Sequence, residues 1–300
     1  MVGMSADSAV LEVSCGQVAL TSPNEGGPGV KGIGLVIVGW KRRQVLVGAD
    51  HVVRGPAHFL IHGLASSKPN GLSHPTHTSA MRVLLLVISS DTDPVYRGLR
   101  DVWRTYMHTH CEIDAFFIEY HPVTGPWLDG DVLRLPGQES FANIRRKTLD
   151  SIEYFLRSPM YTHIVRTNLS SFWILPRLVE RLKSCPSTGL FAGVYLSQGI
   201  SGAGICMTRD VAELLLQRKD IVYQSGPGYY FEWDDVSFGR ALADVPRTHF
   251  GRFDLPNYQL LHEHIEQLPP DYFHVRLRQT NPTDRVCEPE MMAKLVTRFY

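Results

Sequence analysis

Long apolar runs, a charge excess and paired cysteines are all missing from this chain, and each absence removes a class of protein. No stretch approaches the roughly 18 apolar residues that a membrane-spanning helix needs. Gly34-Leu35-Val36-Ile37-Val38-Gly39 is too short to span, and lies too deep in the chain to be the apolar part of a secretory signal. Lysine plus arginine equals aspartate plus glutamate, 30 each, so no global basic field draws in nucleic acid or an anionic membrane. The five cysteines (Cys15, Cys111, Cys185, Cys206 and Cys287) are odd in number, widely spaced and form no C-x-x-C pair, which argues for thiols in a reducing compartment. Histidine offers no zinc site either. His262-Glu263-His264 lacks the i, i+4 spacing that puts two imidazoles on one helix face, and His58 and His62 have that spacing with no further ligand nearby. No G-x-G-x-x-G follows the first strong strand and no Walker A sequence occurs, which disfavours dinucleotide oxidoreductases and P-loop NTPases. A soluble, cytoplasmic protein with no membrane span and no nucleic-acid partner is the resulting expectation.

What is present is an ordinary globular composition, 44% hydrophobic and 20% charged over 300 residues, enough for one or two domains. Residues 1–80 carry scattered glycine, serine, proline and histidine with no sustained helical or strand pattern, and read as a weakly ordered extension. At Met81 the texture changes to Arg82-Val83-Leu84-Leu85-Leu86-Val87-Ile88-Ser89-Ser90, the signature of a strand buried on both faces. The folded domain is therefore expected over 81–300.

Along it, strand and helix patterns alternate. Asp93-Pro94 supplies an N-cap and a proline at the first helical position for a helix of about 95–105. Further strands are expected near 113–120, 131–135, 161–166 and 189–196. Phe141, Ile144, Thr148, Ile152 and Phe155 recur at helical spacing over about 139–158. Other helices are expected near 176–183, 209–217 with Thr208 as cap, 236–243 and 289–299. The pattern predicts an α/β fold with a mostly parallel sheet flanked by helices, binding its ligand beyond the strands' C-terminal ends.

The densest chemistry lies in Phe231-Glu232-Trp233-Asp234-Asp235-Val236-Ser237-Phe238-Gly239. Adjacent carboxylates ahead of a helix either cap its free N–H groups or serve as a base toward an alcohol. About thirty residues upstream, Ser201-Gly202-Ala203-Gly204 is either an ordinary strand-to-helix turn or backbone bared for a ligand. With two more segments these resemble, in order, the motifs of the inverting GT-A glycosyltransferases of family 31, the β-1,3-galactosyltransferase and Fringe type. Ser140-Phe141-Ala142-Asn143-Ile144-Arg145-Arg146-Lys147-Thr148 is similar to the family's S/T-Y-x-N-L-T-x-K-T helix, and 161–170 to its strand ending in an acidic D-x-D. Residues 200–212 are similar to C-S-G-x-G-Y-V-x-S-x-D-V-A, and Asp234-Asp235-Val236-Ser237-Phe238-Gly239 to E-D-V-x-x-G. The resemblance spans about 82–300.

It implies a GT-A-like fold and transfer of a sugar from a nucleotide-sugar donor, a UDP-sugar by analogy, to a carbohydrate hydroxyl with inversion. Asp235 would be the base and Asp234 a cap or second acceptor contact. Ser89, Ser90 and Asp91 would meet the nucleoside. Asn143, Lys147, Arg166, Asn168, Ser170, His274 and Arg276 would lie on the donor side, where Arg166, His274 and Arg276 would balance the diphosphate if no metal does, and Gly202, Gly204, Tyr229, Tyr230 and Trp233 would lie on the acceptor side. Each has a plainer alternative: buttressing, a solvated ion pair, or core packing. The chain departs from the family where its D-x-D stands, for Asn168, Leu169 and Ser170 offer neutral oxygens that would hold Mn²⁺ or Mg²⁺ only weakly. Asp91-Thr92-Asp93 is a literal D-x-D, but Asp93 already has a capping role. A catalytically silent GT-A domain that binds a sugar nucleotide or glycan is the second reading. A nucleotidyltransferase is the third, lacking a glycine-rich basic loop after Ser90.

Overall fold

The computed structural model describes residues 10–14, 17–21, 81–224, 233–255, 266, 268–277 and 282–300. The chain divides into two units, Met1–His74 and Pro75–Tyr300. In the first, Val10–Ser14 pairs antiparallel with Gln17–Thr21. The sequence pattern marks no strand there, because five-residue strands joined by two residues are shorter than the window over which alternation stands out.

The second unit, whose elements are numbered here on their own, is built on an eight-stranded sheet. Its strands are β1 Val83–Ile88, β2 Ile113–His121, β3 Trp127–Asp129, β4 Val132–Pro136, β5 His163–Asn168, β7 Phe191–Tyr195, β8 Ile200–Thr208 and β9 Arg247–His249. They run in the order β9-β7-β8-β5-β1-β2-β4-β3. The central strands β5, β1, β2 and β4 are parallel, whereas β8 runs antiparallel to both neighbours and β3 antiparallel to β4. A small second sheet joins β6 Ser171–Trp173, β10 Phe253–Asp254 and β11 His274–Arg276.

All six residues of β1 are buried, as its unbroken apolar run requires. Val83, Leu85 and Val87 face one core with Trp103 and Leu178, while Leu84, Leu86 and Ile88 face the other with Ile152 and Phe238. Each large side chain so buried contributes about 1.5–3 kcal/mol. Helices α1 Pro94–Tyr106, α3 Leu175–Lys183 and α7 Glu288–Phe299 cover the first face, and α2 Ile144–Leu156, α4 Arg209–Gln217 and α6 Asp234–Ala241 the second. The short α5, Lys219–Tyr223, precedes α6. α1 starts as expected, with Asp93 accepting the Val95 N–H at 2.7 Å ahead of Pro94. α7 lies against α1, where Gly98 leaves room for the Pro289 ring.

Four expectations change. The helix expected from 139 begins at Ile144 after a 3₁₀ turn Phe141–Asn143, so Phe141 is 54% exposed and not a core residue. Gly202 and Gly204 lie within the nine-residue strand β8 and not in a turn, and a register shift between Ile200 and Ile205 accommodates them. Thr208 makes no capping bond to α4, because its hydroxyl accepts the Leu190 N–H at 3.0 Å. α6 begins two residues earlier than expected, which puts both aspartates inside its first turn. Among the described residues no helix is long and apolar enough to cross a membrane. Cys15, His58, His62 and His262 to His264 lie outside the described residues.

Candidate active site

The C-terminal ends of β1 and β5, the start of β8 and the first turn of α6 enclose a cleft of about 490 Å³. This is where a sheet with parallel central strands leaves its strand ends uncovered. Ser89, Ser90, Lys147, Arg166, Asn168, Ser170, Gly202, Trp233, Asp234, Asp235 and Arg276 all line it, so eleven of the expected residues share one cavity. Tyr229 and Tyr230 fall outside the described residues.

Backbone contact sets the carboxylates in place. A Cβ on Gly239 would come within 2.0 Å of the Gln198 carbonyl oxygen, and one on Gly199 within 2.2 Å of the Asp235 carbonyl oxygen. Only glycine at both positions lets α6 rest directly on the chain entering β8. Gly202 is next to the carboxylates themselves, where an added Cβ would lie 2.8 Å from Arg166 Nη1 and 3.1 Å from both Asp234 oxygens.

The two aspartates stand in different electrostatic states. Asp234 Oδ2 meets Arg166 Nη2 at 2.6 Å as a charge contact rather than a well-aligned hydrogen bond, with both side chains almost wholly buried. Among the described residues Asp235 has no such partner. Its Oδ1 accepts the Val236 N–H at 2.9 Å, so it does satisfy part of the helix end while lining the cleft. Burial first, then the neighbouring Asp234 charge, push its carboxyl above the usual aspartate range, against the pull of the Val236 and Gly202 N–H groups and Arg166. A half-buried carboxylate with raised proton affinity is a better base than an exposed one.

The expected donor residues are more heavily engaged than their sequence positions suggest. The Ser89 hydroxyl donates to Glu119 at 2.7 Å. Burial would raise the Glu119 carboxyl, but the Ser89 hydroxyl and Arg100 outweigh it and hold it below the usual range. The Ser90 and Thr92 hydroxyls share a hydrogen bond of 2.8 Å. Lys147, 1% exposed, donates to the Ser89 carbonyl at 2.9 Å and to both Glu139 oxygens at 2.6 and 2.5 Å. Burial lowers its affinity for the proton, and Glu139 opposes that. Asn143 donates to the Gln138 carbonyl at 3.0 Å in the 3₁₀ turn, away from the cleft wall. Asp91 is exposed and also off the wall; with Glu119 and His121 it brings ligand atoms within 4.8 Å of one another, an acidic cluster of the kind that can hold a metal ion.

At the place of the family's D-x-D, the oxygens are already used. Asn168 Oδ1 accepts from Arg276 Nη1 and from the Ser171 hydroxyl. The Ser170 hydroxyl donates to Glu288 Oε2 at 2.7 Å, and Leu169 is buried. Two engaged neutral side chains beside a guanidinium do not fit Mn²⁺ or Mg²⁺, which require several available oxygens, preferably anionic. His274 does not line the cleft. Its ring stacks on Trp173 at 4.0 Å and 6°, fully buried, and burial first, then Arg252 and Arg276, push its proton affinity far down, so it is neutral and not the cation the sequence suggested. Gly204 makes room for that stack, since a Cβ there would lie 2.6 Å from His274 Cε1 and 2.9 Å from Trp173 Cζ2. Because neither ring can yield, Gly204→Ala is expected to cost about 1–3 kcal/mol by overpacking. Urea unfolding of the variant with an unchanged midpoint would contradict that packing.

Among the other residues of the wall, sequence reasoning passed over Phe141, Arg252 and Arg285 as site candidates. Phe141 stands edge to face with Trp233 at 5.0 Å, both more than half exposed, and forms an aromatic lip to the cleft. Phe141 was present in the motif that resembles the family's helix, but helical periodicity assigned it to the core. Arg252 and Arg285 sit in no local motif, and only the fold brings them to the cleft.

No protein-family model matches this chain, and no curated protein does. Among solved structures it is similar to one titled "Crystal structure of a glycosyltransferase involved in the glycosylation of the major capsid of PBCV-1", at 11% identity and a TM-score of 0.46, covering 70% of this chain and 99% of that one.

Proposed function

We propose that this chain is an inverting glycosyltransferase of GT-A-like fold that moves a sugar, by family resemblance from a UDP-sugar, to a carbohydrate hydroxyl. The observation that carries the reading is the unequal aspartate pair on the cleft wall: Asp234 is tied to Arg166, while Asp235 is half-buried with raised proton affinity. In a single displacement the acceptor oxygen forms a bond to the anomeric carbon as the bond from that carbon to the diphosphate oxygen breaks. Asp235 takes the acceptor's proton, and the nucleoside diphosphate leaves with the electron pair. The Phe141 and Trp233 rings at the mouth offer apolar faces against which an acceptor sugar packs.

The reading is tested by incubating the protein with UDP-sugars and a panel of glycan acceptors and following the anomeric configuration by NMR. A product of opposite configuration to the donor is expected. Retention of configuration would remove Asp235 from the role of base. The second reading, a silent domain that binds a sugar nucleotide or glycan, is favoured by the engaged oxygens of Asn168 and Ser170. It would show binding without turnover.

A further inference from the structure

Cationic side chains outnumber anionic ones on the cleft wall: Lys147, Arg166, Arg252, Arg276 and Arg285 against Glu139, Asp234 and Asp235. Lys147 lies on Glu139 and Arg166 on Asp234. The other three come from separate segments in the last fifty residues and gather at the ends of β5 and β8. Arg276 reaches Asn168 and Ser171, Arg252 donates to the Ser201 hydroxyl at 2.9 Å, and Arg285 meets Glu288, which in turn holds Ser170. Arg276 thus touches the Asn168-Leu169-Ser170 segment directly at Asn168, and Arg285 reaches its other end through Glu288.

We propose that Arg252, Arg276 and Arg285 form a clamp for the diphosphate of a nucleotide, standing where the resembling family holds a divalent cation. The clamp rests on the reading of the cleft as a nucleotide-sugar site and supplies the charge that a bound cation would otherwise provide. Guanidinium groups suit it because they remain charged at any working pH and pair phosphate oxygens through parallel N–H groups. They are also held in advance: Arg252 by Ser201 and Asp254, Arg285 by Glu288 and the Tyr96 hydroxyl. Asp254 meets Arg252 and Glu288 meets Arg285, whereas a diphosphate offers oxygens to all three guanidiniums at once.

Titration calorimetry with inorganic pyrophosphate and with uridine diphosphate, in EDTA and separately in Mn²⁺, tests the clamp. Pyrophosphate is expected to bind in EDTA within about threefold of its affinity in Mn²⁺. Arg252→Gln and Arg276→Gln should each weaken it by roughly tenfold or more, as loss of a charged hydrogen bond does. Arg276→Lys should fall between, since it keeps the charge and loses the fork. Thermal melting checks that the variants fold, and Arg252, whose ion partner Asp254 lies on the exposed rim, provides the change that disturbs the core least. Binding that appears only with Mn²⁺, or parent-like pyrophosphate affinity in both glutamine variants, overturns the clamp. Pyrophosphate carries neither base nor sugar, so its binding without any sugar transfer would leave the clamp standing and sink the transferase reading. Transfer that requires Mn²⁺ would do the reverse.

Discussion

Asp235→Asn is expected to lower sugar transfer by about 10²–10⁴-fold, the range for removal of a positioned general base, while nucleotide affinity stays within a few-fold of the parent. The amide keeps the side chain's shape and can still accept from the Val236 N–H, so α6 should hold its place. What it cannot do is take a proton. The acid limb of the parent's rate profile should also be informative. A base works only when deprotonated, and burial with the Asp234 charge raises the pH at which Asp235 deprotonates, so kcat/KM should fall at a higher pH than an ordinary aspartate gives. The stability consequence has the opposite sign. An aspartate whose folded proton affinity exceeds its unfolded one favours folding when protonated, and that advantage is lost as pH rises through the unfolded and then the folded value. At neutral pH the asparagine variant should therefore be as stable as the parent or more so, as found where activity is maintained against stability. Transfer within a few-fold of the parent would sink the assignment. Donor binding with no turnover in either form would instead select the silent-domain reading.

How far the sequence reaches differs from element to element. β1 and α1 were legible because their signals are local: an unbroken apolar run, then an aspartate cap with proline behind it. The Asp-Asp-Val turn and its Gly239 were also legible, since the close approach of α6 to β8 leaves its mark in adjacent residues. Ser201–Gly204 left a turn and ligand-bared backbone equally open, and their place in a strand becomes legible only once their crowded neighbours, the Arg166–Asp234 pair and the His274–Trp173 stack, are seen. Arg166 could be named from the end of its expected strand and Arg276 from the late segment Tyr272–Arg276, but Arg252 and Arg285 could not. Arg252 meets Ser201, 51 residues away in sequence, and Arg285 meets Glu288, which holds Ser170, 118 residues from it; no local pattern encodes either long-range link. His274 shows the converse error. A histidine two residues before an arginine was read as a cation in sequence, yet burial first, then Arg252 and Arg276, make it neutral.

Arg166→Met is expected to cost about 3–5 kcal/mol of folding stability, because it leaves the Asp234 carboxylate in a nearly closed site without its partner. The strand end itself should survive, since the methionine stem fills much of the same space on β5. Adding Asp234→Asn to the methionine variant should restore a large part of the loss, as removal of both charges is far less costly than removal of one. Chemical unfolding of the single and double variants measures this directly, and a loss below about 1 kcal/mol in Arg166→Met would show that the pair is well solvated. The same change should alter the chemistry. With its guanidinium gone, Arg166 no longer draws down the proton affinity of Asp235, and two adjacent carboxylates must share one site. Their first proton should be held more tightly, so the acid limb of the rate profile should move to higher pH in Arg166→Met and return toward the parent's in the double variant. An acid limb that stays fixed while stability falls would mean that the ion pair holds the fold together without setting the state of the base, and the division of labour between the two aspartates would have to be abandoned.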